Sequence, residues 1–245
     1  MMQDLEYGGQ KFEAYLATPK TEVKGAVIVI HEVWGLVGHI KSVADRYANE
    51  GYIALAPDLL SETDITAHAT PELQEDLFNP QKRNDAQTKM RALMAPIQEP
   101  DFAAKTIGKL KVAFDYLYNL PEVKRRVAVN GFCFGGSYSY SLAIEEPRLK
   151  LALPFYGHVT TEVSELAKIK CPIRSFYGQN DEGLISTLPE VSLAMKQAGV
   201  DFESKVYPDC AHAFFNDSNK YAYYEPAAKD AWGRVLDYLS KYLDQ

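Results

Sequence analysis

The chain has 245 residues, of which 47% are hydrophobic, so it is long enough to bury the core of one α/β domain but short for two. A net charge of -7 argues against nucleic acid or an anionic membrane as a partner. The first residues carry neither a basic start nor an apolar run, and no stretch of about 18 apolar residues follows, which predicts a soluble, unexported, cytoplasmic protein.

In chain order, the sequence alternates between segments with strand character and segments with helix character. The predicted strands are 4–7 and 11–17, which form a hairpin, then 26–30, 52–56, 127–129, 149–155, 172–177 and 202–207. The predicted helices are 38–50, 81–94, 101–117, 135–146, 188–198 and one that begins near Pro226. This alternation predicts a single domain over 1–245 with a mostly parallel central sheet and helices on both faces, the α/β class. Residues 59–80 are predicted to be irregular, and 59–100 are expected to shape a pocket.

Cysteine usage gives no sign of a disulfide framework or a zinc site. The three cysteines lie at positions 133, 171 and 210, an odd number without a C-x-x-C pair, which fits a reducing compartment. Cys171 and Cys210 are expected to be inert. The histidines at 31, 39, 68 and 158 do not form a ligand set and no phosphate-binding glycine loop is present, so neither a metal nor a cofactor is expected.

Cys133 lies where a predicted buried strand turns abruptly into a predicted helix, in the sequence GFCFGG at 131–136. Such a sharp corner strains its central residue and brings its neighbours into contact, so the flanking positions must lack side chains, as Gly131 and Gly135 do. The sulfur would stand at a helix N-terminus, where the dipole favours a thiolate. The alternative is that Cys133 is a small buried hydrophobic residue, as most free cysteines are.

Candidate acid and base residues follow two later strands, because groups at the carboxyl ends of parallel strands meet at one edge of the sheet. Asp181 follows the strand 172–177, and His212 follows the strand 202–207. The order nucleophile, acid, histidine is the order of the α/β-hydrolase fold. Asp181 could instead be a turn former and His212 a loop histidine. Asp209 is a rival acid, but it shares the loop of His212 and cannot easily approach the far nitrogen of the ring.

The segment HEVWG at 31–35, after a central strand, makes the resemblance specific. Together with GFCFGG at 131–136, the acid at Asp181 and the sequence AH at 211–212, it is similar to the motifs of the dienelactone hydrolase family. The resemblance extends from about residue 11 to the end of the chain. It implies an α/β-hydrolase fold, a triad of Cys133, Asp181 and His212, and a carboxylate, Glu32, that meets the thiol at rest and helps to deprotonate it when substrate arrives. Glu32 could alternatively be a loop cap.

The backbone N–H groups of Val33 and Phe134 are then the expected oxyanion hole. Aromatic residues expected to line the pocket are Trp34, Phe132, Phe134, Phe214 and Phe215. Members of the family hold the substrate carboxylate with arginines, one of them four residues after the histidine, where this chain has Asn216. Arg83 could match a second such arginine, although a solvated helix face also explains it.

The sequence therefore predicts hydrolysis of a lactone or activated carboxylic ester through an acyl-cysteine intermediate, with a substrate other than a carboxylate-bearing dienelactone. Two alternatives remain open. One is an acyl-thioesterase or peptidase on the same fold, and the other is a non-catalytic, redox-sensing relative. The expected partner is a small-molecule ester or lactone, and the expected assembly is a monomer or a weak homo-oligomer.

Overall fold

The computed structural model describes residues 1–79 and 81–244, and within them eight strands form one sheet. The strands are β1 (Met2–Tyr7), β2 (Gln10–Ala17), β3 (Gly25–Ile30), β4 (Tyr52–Pro57), β5 (Val127–Phe132), β6 (Leu151–Phe155), β7 (Ile173–Gly178) and β8 (Phe202–Tyr207). Their spatial order is β1-β2-β4-β3-β5-β6-β7-β8. The β1–β2 and β2–β4 pairs are antiparallel, and all the other pairs in the described sheet are parallel. The predicted hairpin and mostly parallel sheet are confirmed.

The helices pack on both faces of this sheet, as predicted. They are α1 (Gly38–Asn49), α2 (Ile65–His68), α3 (Pro71–Phe78), α4 (Arg83–Met94), α5 (Pro100–Tyr118), α6 (Phe134–Glu145), α7 (Val163–Leu166), α8 (Glu182–Gln197) and α9 (Glu225–Leu243). Buried side chains of α1 and α9 form the core on one face. Those of α5, α6 and α8 form the core on the other. None of the helices described combines the length and apolar character needed to cross a bilayer.

The central position of β3 and β5 places the loops that follow them next to each other. These strands pair in parallel, with Ile30 opposite Gly131, so the segment that begins at His31 and the corner at Cys133 emerge side by side. All residues of both strands are buried, which explains why their sequences are apolar except for Asn130.

Two helix predictions were wrong. The stretch predicted to be irregular contains α3, which begins at a local cap: the Thr70 hydroxyl accepts a hydrogen bond from the Leu73 N–H at 3.3 Å, and Pro71 occupies the first turn. Pro80, the last residue of that stretch, and Gln245, the end of the predicted domain, lie outside the described residues.

Helix α8 begins at Glu182, six residues before its predicted start, and continues through Pro189. A proline inside a helix costs a hydrogen bond and is more common in the first helical turn, so local preference alone favours a helix start near Pro189. The earlier start matters for the site because Asp181 is the N-cap residue of α8, yet its side chain makes no capping hydrogen bond. The carboxylate is therefore free to bind another group.

Candidate active site

Cys133 occupies the corner between β5 and α6 in a strained backbone conformation, with φ 56° and ψ -110°. Two hydrogen bonds between backbone groups hold the corner in place. The Cys133 N–H donates to the Phe155 carbonyl at 3.0 Å, and the Gly135 N–H donates to the His31 carbonyl at 3.1 Å. A non-glycine residue at positive φ is uncommon and often marks a functional site. The predicted strand, corner and helix are thus present.

The two glycines that flank the corner are required by close packing. A Cβ atom at Gly131 would lie 2.0 Å from the Gly135 carbonyl oxygen, and one at Gly135 would lie 2.2 Å from the Ile30 carbonyl oxygen. Both distances are far below van der Waals contact, and the neighbouring atoms belong to backbone. No side chain could occupy either position without moving the strand or the helix.

The structure brings His212 and Asp181 together from two neighbouring strand ends. His212 Nδ1 lies 2.5 Å from Asp181 Oδ2, and His212 also forms a hydrogen bond with Cys133. Loss of water contacts alone would lower the pKa of His212, but the negative charge of Cys133 and the hydrogen bonds to Asp181 and Cys133 raise it well above its usual value. The rival acid, Asp209, is an exposed turn residue with φ 59°, and Asp181 is the carboxylate against the ring.

Glu32 is buried next to this series, and two side chains donate hydrogen bonds to it. Its Oε2 accepts from Asn216 Nδ2 at 2.5 Å, and its Oε1 accepts from the Tyr156 hydroxyl at 3.4 Å. Burial raises the pKa of Glu32, and this effect is opposed by the charges of His39 and His212 and by the two hydrogen bonds. Within the described residues the Cys133 thiol is not among the donors to this carboxyl group, which differs from the contact that the resemblance implies.

The chain matches one known protein family over nearly its whole length. The model of the dienelactone hydrolase family matches residues 12–243. The chain belongs to the dienelactone hydrolase family. Members of this family are hydrolases that act on ester bonds, lactones included, and this chain is one of them.

Individual relatives agree with that assignment. The chain is 35% identical to a Saccharolobus solfataricus protein named "Putative carboxymethylenebutenolidase", over 95% of each chain. It is 32% identical to "Protein usf" of Aquifex pyrophilus, over 99% of this chain and 98% of that one. A crystal structure from Klebsiella pneumoniae, named "Putative Dienelactone Hydrolase", superimposes with a TM-score of 0.82 at 26% identity, over 99% of this chain and 98% of that chain. The fold is therefore the α/β-hydrolase fold, as the sequence predicted.

Two residues of this dienelactone hydrolase family member that were predicted to bind substrate lie in the protein interior instead. Phe214 has no exposed surface and packs against Phe155, Tyr156 and Tyr207. Asn216 is only 2% exposed, and both the nitrogen and the oxygen of its amide group form hydrogen bonds within the protein. It donates to Glu32, and its oxygen accepts from the Ser218 N–H and hydroxyl at 3.0 and 2.6 Å. In this structure neither side chain is presented to a substrate.

Phe132, Phe134 and Phe215, also predicted to line the pocket, are likewise buried, whereas Trp34 and Arg83 are more accessible. Trp34 is partly exposed in the loop after β3, and Arg83 is exposed at the first position of α4. No ion pair holds Arg83 among the residues that the structure describes. Both remain predictions for substrate contact.

Two backbone donors without partners lie on the loop after β3 and at the neighbouring Cys133 corner. Among the described residues no acceptor is found for the N–H groups of Val33 and Phe134, whereas those of Cys133 and Gly135 are both bonded. Unpaired N–H groups on the loop after β3 and directly after the nucleophile correspond to the donors that the resemblance implies.

Sequence reasoning missed Tyr156 and gave no role to His31. Tyr156 directly follows β6 and has φ 38°, so inspection of that strand end could have found it. His31 is fully buried: Nδ1 lies 2.6 Å from the Glu32 carbonyl oxygen, and Nε2 accepts from the Leu59 N–H at 3.0 Å. Its ring also stacks on Phe134 with 5.7 Å between centroids. His31 therefore fastens the Glu32 loop to the nucleophile corner in its neutral form.

We expect the stability advantage of wild type over His31→Gln to shrink as the pH falls from about 7 to 5. Burial lowers the pKa of His31, while the unfolded imidazole keeps its ordinary value of about 6.5. Below that value the unfolded chain binds a proton that the folded chain excludes, so stabilisation present above it is lost on acidification. Urea unfolding of both proteins across this range measures the difference, and a pH-independent difference would contradict a buried neutral His31.

Proposed function

We propose that this member of the dienelactone hydrolase family cleaves lactones or activated carboxylic esters through an acyl-cysteine intermediate. The observation that supports it is the series Asp181, His212 and Cys133, hydrogen-bonded in that order, with the cysteine at a strained strand-to-helix corner. A thiol is a weak nucleophile when protonated, and a neighbouring imidazole that is oriented by a carboxylate removes this limitation.

In the first half of the proposed reaction, His212 accepts the proton of the Cys133 thiol, and the sulfur attacks the ester carbonyl carbon. The resulting oxyanion accepts hydrogen bonds from the N–H groups of Val33 and Phe134. Collapse of the tetrahedral intermediate breaks the carbon–oxygen bond, and the imidazolium of His212 protonates the departing alkoxide. A thioester on Cys133 remains, and in a lactone the alcohol stays attached to the acyl chain.

In the second half, neutral His212 removes a proton from a water molecule that attacks the thioester. The carbon–sulfur bond breaks, the sulfur leaves as a thiolate that recovers its proton from the imidazolium, and a carboxylic acid is released. Asp181 keeps the imidazole in the tautomer that presents Nε2 to the reacting groups in both halves.

Glu32 has a separate proposed role in controlling the resting thiol. A nearby carboxylate disfavours a permanent thiolate and so protects the sulfur from oxidation until substrate arrives. The position of Tyr156 supports this role: its pKa is raised well above the usual value by burial and by the negative charges of both Glu32 and Cys133. Tyr156 therefore lies close to both groups, and its hydroxyl donates a hydrogen bond to Glu32.

The proposed substrates need not carry a carboxylate. The position four residues after His212, where the family has a gripping arginine, holds Asn216, and its amide already binds Glu32. A hydrogen bond to a charged group contributes roughly 1.5 to 3 kcal/mol, which corresponds to about a ten- to hundredfold preference for an anion. This chain lacks that contribution at this position.

We therefore expect a neutral lactone to be hydrolysed with kcat/KM at least equal to that of a carboxylate-bearing dienelactone. A dienelactone and its primary amide, which match in size and differ in charge, give the direct comparison. An anion preference of about tenfold or more would contradict the proposal. Arg83→Gln, measured on the same pair, would then show whether Arg83 supplies the missing cation.

A further inference from the structure

A second histidine–aspartate pair lies beside Glu32, and no step of the proposed reaction uses it. His39 Nδ1, on α1, lies 2.9 Å from Asp217 Oδ1. The other carboxylate oxygen of Asp217 accepts a hydrogen bond from Arg46, about two turns further along α1. The His39 side chain has no exposed surface, whereas Asp217 and Arg46 are 38% and 35% exposed. The pair thus connects the surface of the molecule to its interior.

The second ring nitrogen of His39 has no partner. Nε2 is buried and finds no hydrogen bond among the residues that the structure describes. The ring packs edge-on against Phe132 and Phe215, with 6.2 and 6.4 Å between centroids. An unpaired buried polar atom costs free energy, and in native proteins it is uncommon enough to require an explanation. A purely structural histidine would be better replaced by an apolar residue here.

Two observations connect His39 to Glu32. Asp217, which holds His39, directly follows Asn216, which donates to Glu32 Oε2 at 2.5 Å, so neighbouring residues hold the two groups. His39 also acts through space, because its charge lowers the pKa of Glu32 more than that of His212 does. The other titratable groups near Glu32 are Tyr156, His212 and Cys133, which borders Tyr156 and His212.

Arg46, Asp217, His39 and Glu32 form a cluster. The balance of its charges couples the protonation of His39 to that of Glu32. Arg46 and Asp217 cancel each other, His212 is paired with Asp181, and the resting Cys133 thiol is neutral, which leaves His39 and Glu32. The cluster is neutral when both carry a charge and also when neither does. A change at one without the other leaves a net charge in a buried site, which is strongly unfavourable.

We propose that His39 is a positioning residue whose protonation is linked to the ionisation of Glu32: charged His39, held by Asp217, keeps Glu32 as a carboxylate beside Cys133. When Glu32 gives up its proton His39 binds one, so the pair keeps the same total charge. This inference rests on the proposed role of Glu32 in restraining the thiol.

The test is the rate at which iodoacetamide alkylates Cys133 between pH 5 and 9, with the labelled residue identified by peptide mass spectrometry. It needs no substrate, so it does not depend on finding the right ester. The variants are His39→Asn, Glu32→Gln and the double variant. Asparagine keeps a donor near the Nδ1 position for Asp217 and removes Nε2. His68→Asn is the matched control, because His68 is exposed on α2 and its Nδ1 lies against the Asp64 carbonyl oxygen.

We expect His39→Asn to be alkylated at least about threefold faster than wild type near pH 7, because Glu32 then stays protonated and no longer disfavours the thiolate. Glu32→Gln should be faster for the same reason, and adding His39→Asn to it should change nothing further. The control should label like wild type. His39→Gln, a second polar replacement that cannot be protonated, should behave like His39→Asn and replaces it if the asparagine variant does not fold.

The outcomes separate two errors. If Glu32→Gln labels faster but His39→Asn and His39→Gln label like wild type, or raise the rate equally in both backgrounds, the linkage is wrong and the role of Glu32 stands. If Glu32→Gln itself labels no faster than wild type, the role of Glu32 is wrong and the linkage falls with it.

Discussion

Replacing Cys133 with alanine is expected to lower kcat for ester hydrolysis by roughly three to six orders of magnitude, because the variant lacks the nucleophile in both proposed half-reactions. The fold should survive, since alanine is smaller than cysteine and faces the same strain at φ 56°. Initial rates with a chromogenic ester, together with the thermal unfolding midpoint, measure the two effects separately.

Cys171→Ala is the matched control for that variant. Cys171 is buried, and burial raises the pKa of its thiol to about 12, so it is inert near neutral pH. The control should keep full activity. Residual activity of Cys133→Ala above about a tenth of wild type would contradict the assignment of the nucleophile.

Asp181→Asn is expected to lower kcat by about three to four orders of magnitude, whereas Asp209→Asn should change it less than about threefold. The reason is the 2.5 Å contact between Asp181 Oδ2 and His212 Nδ1, which fixes the tautomer and supports the charged imidazole. Without that carboxylate, one cause of the raised pKa of His212 is lost, so this pKa should fall.

The measurement is the pH dependence of kcat for the two variants, with circular dichroism as the test of folding. Both substitutions exchange a carboxylate for an amide of the same shape. The two residues lie in the loops that follow the neighbouring strands β7 and β8. Equal losses, or a larger loss in Asp209→Asn, would mean that the acid lies on the loop of the histidine.

Much of the site could be predicted because the carboxyl ends of neighbouring parallel strands lie at the same edge of the sheet. Once 127–129, 172–177 and 202–207 are recognised as strands, the residues that follow them must meet at one edge. This reasoning brought Cys133, Asp181 and His212 together although 48 and 31 residues separate them, and the structure places them in contact. The glycines on both sides of Cys133 were informative because the neighbouring backbone lies so close to them that no side chain fits there.

The partners of Glu32 could not be predicted in the same way. They depend on how two irregular loops fold over the strand ends, which no periodicity encodes. Asn216 follows His212 by four residues and aligns with a substrate-binding position of the family, which suggested that its side chain faces the pocket. In the structure its amide binds Glu32. His39 and Asp217 are 178 residues apart, and nothing local in either segment marks them as a pair.

Helix boundaries failed where a local signal has two meanings. Pro189 is compatible with a helix start and, at a cost, with a helix interior, and the structure has the second. In the stretch predicted to be irregular, Thr70 and Pro71 begin helix α3. This helix is too short to show a periodic apolar face in the sequence. Neither error changed the predicted fold, because the parallel strands and their order determine it.

The most direct measurement of the proposed chemistry is mass spectrometry of the acid-quenched enzyme during turnover of an activated acyl ester. An acyl-cysteine mechanism predicts one acyl group per chain, bound as a thioester to the peptide that contains Cys133, formed in the pre-steady state and lost after substrate is exhausted. Turnover at full rate with an acyl group on a serine such as Ser137, or with no acyl group on the chain at any time, would contradict it.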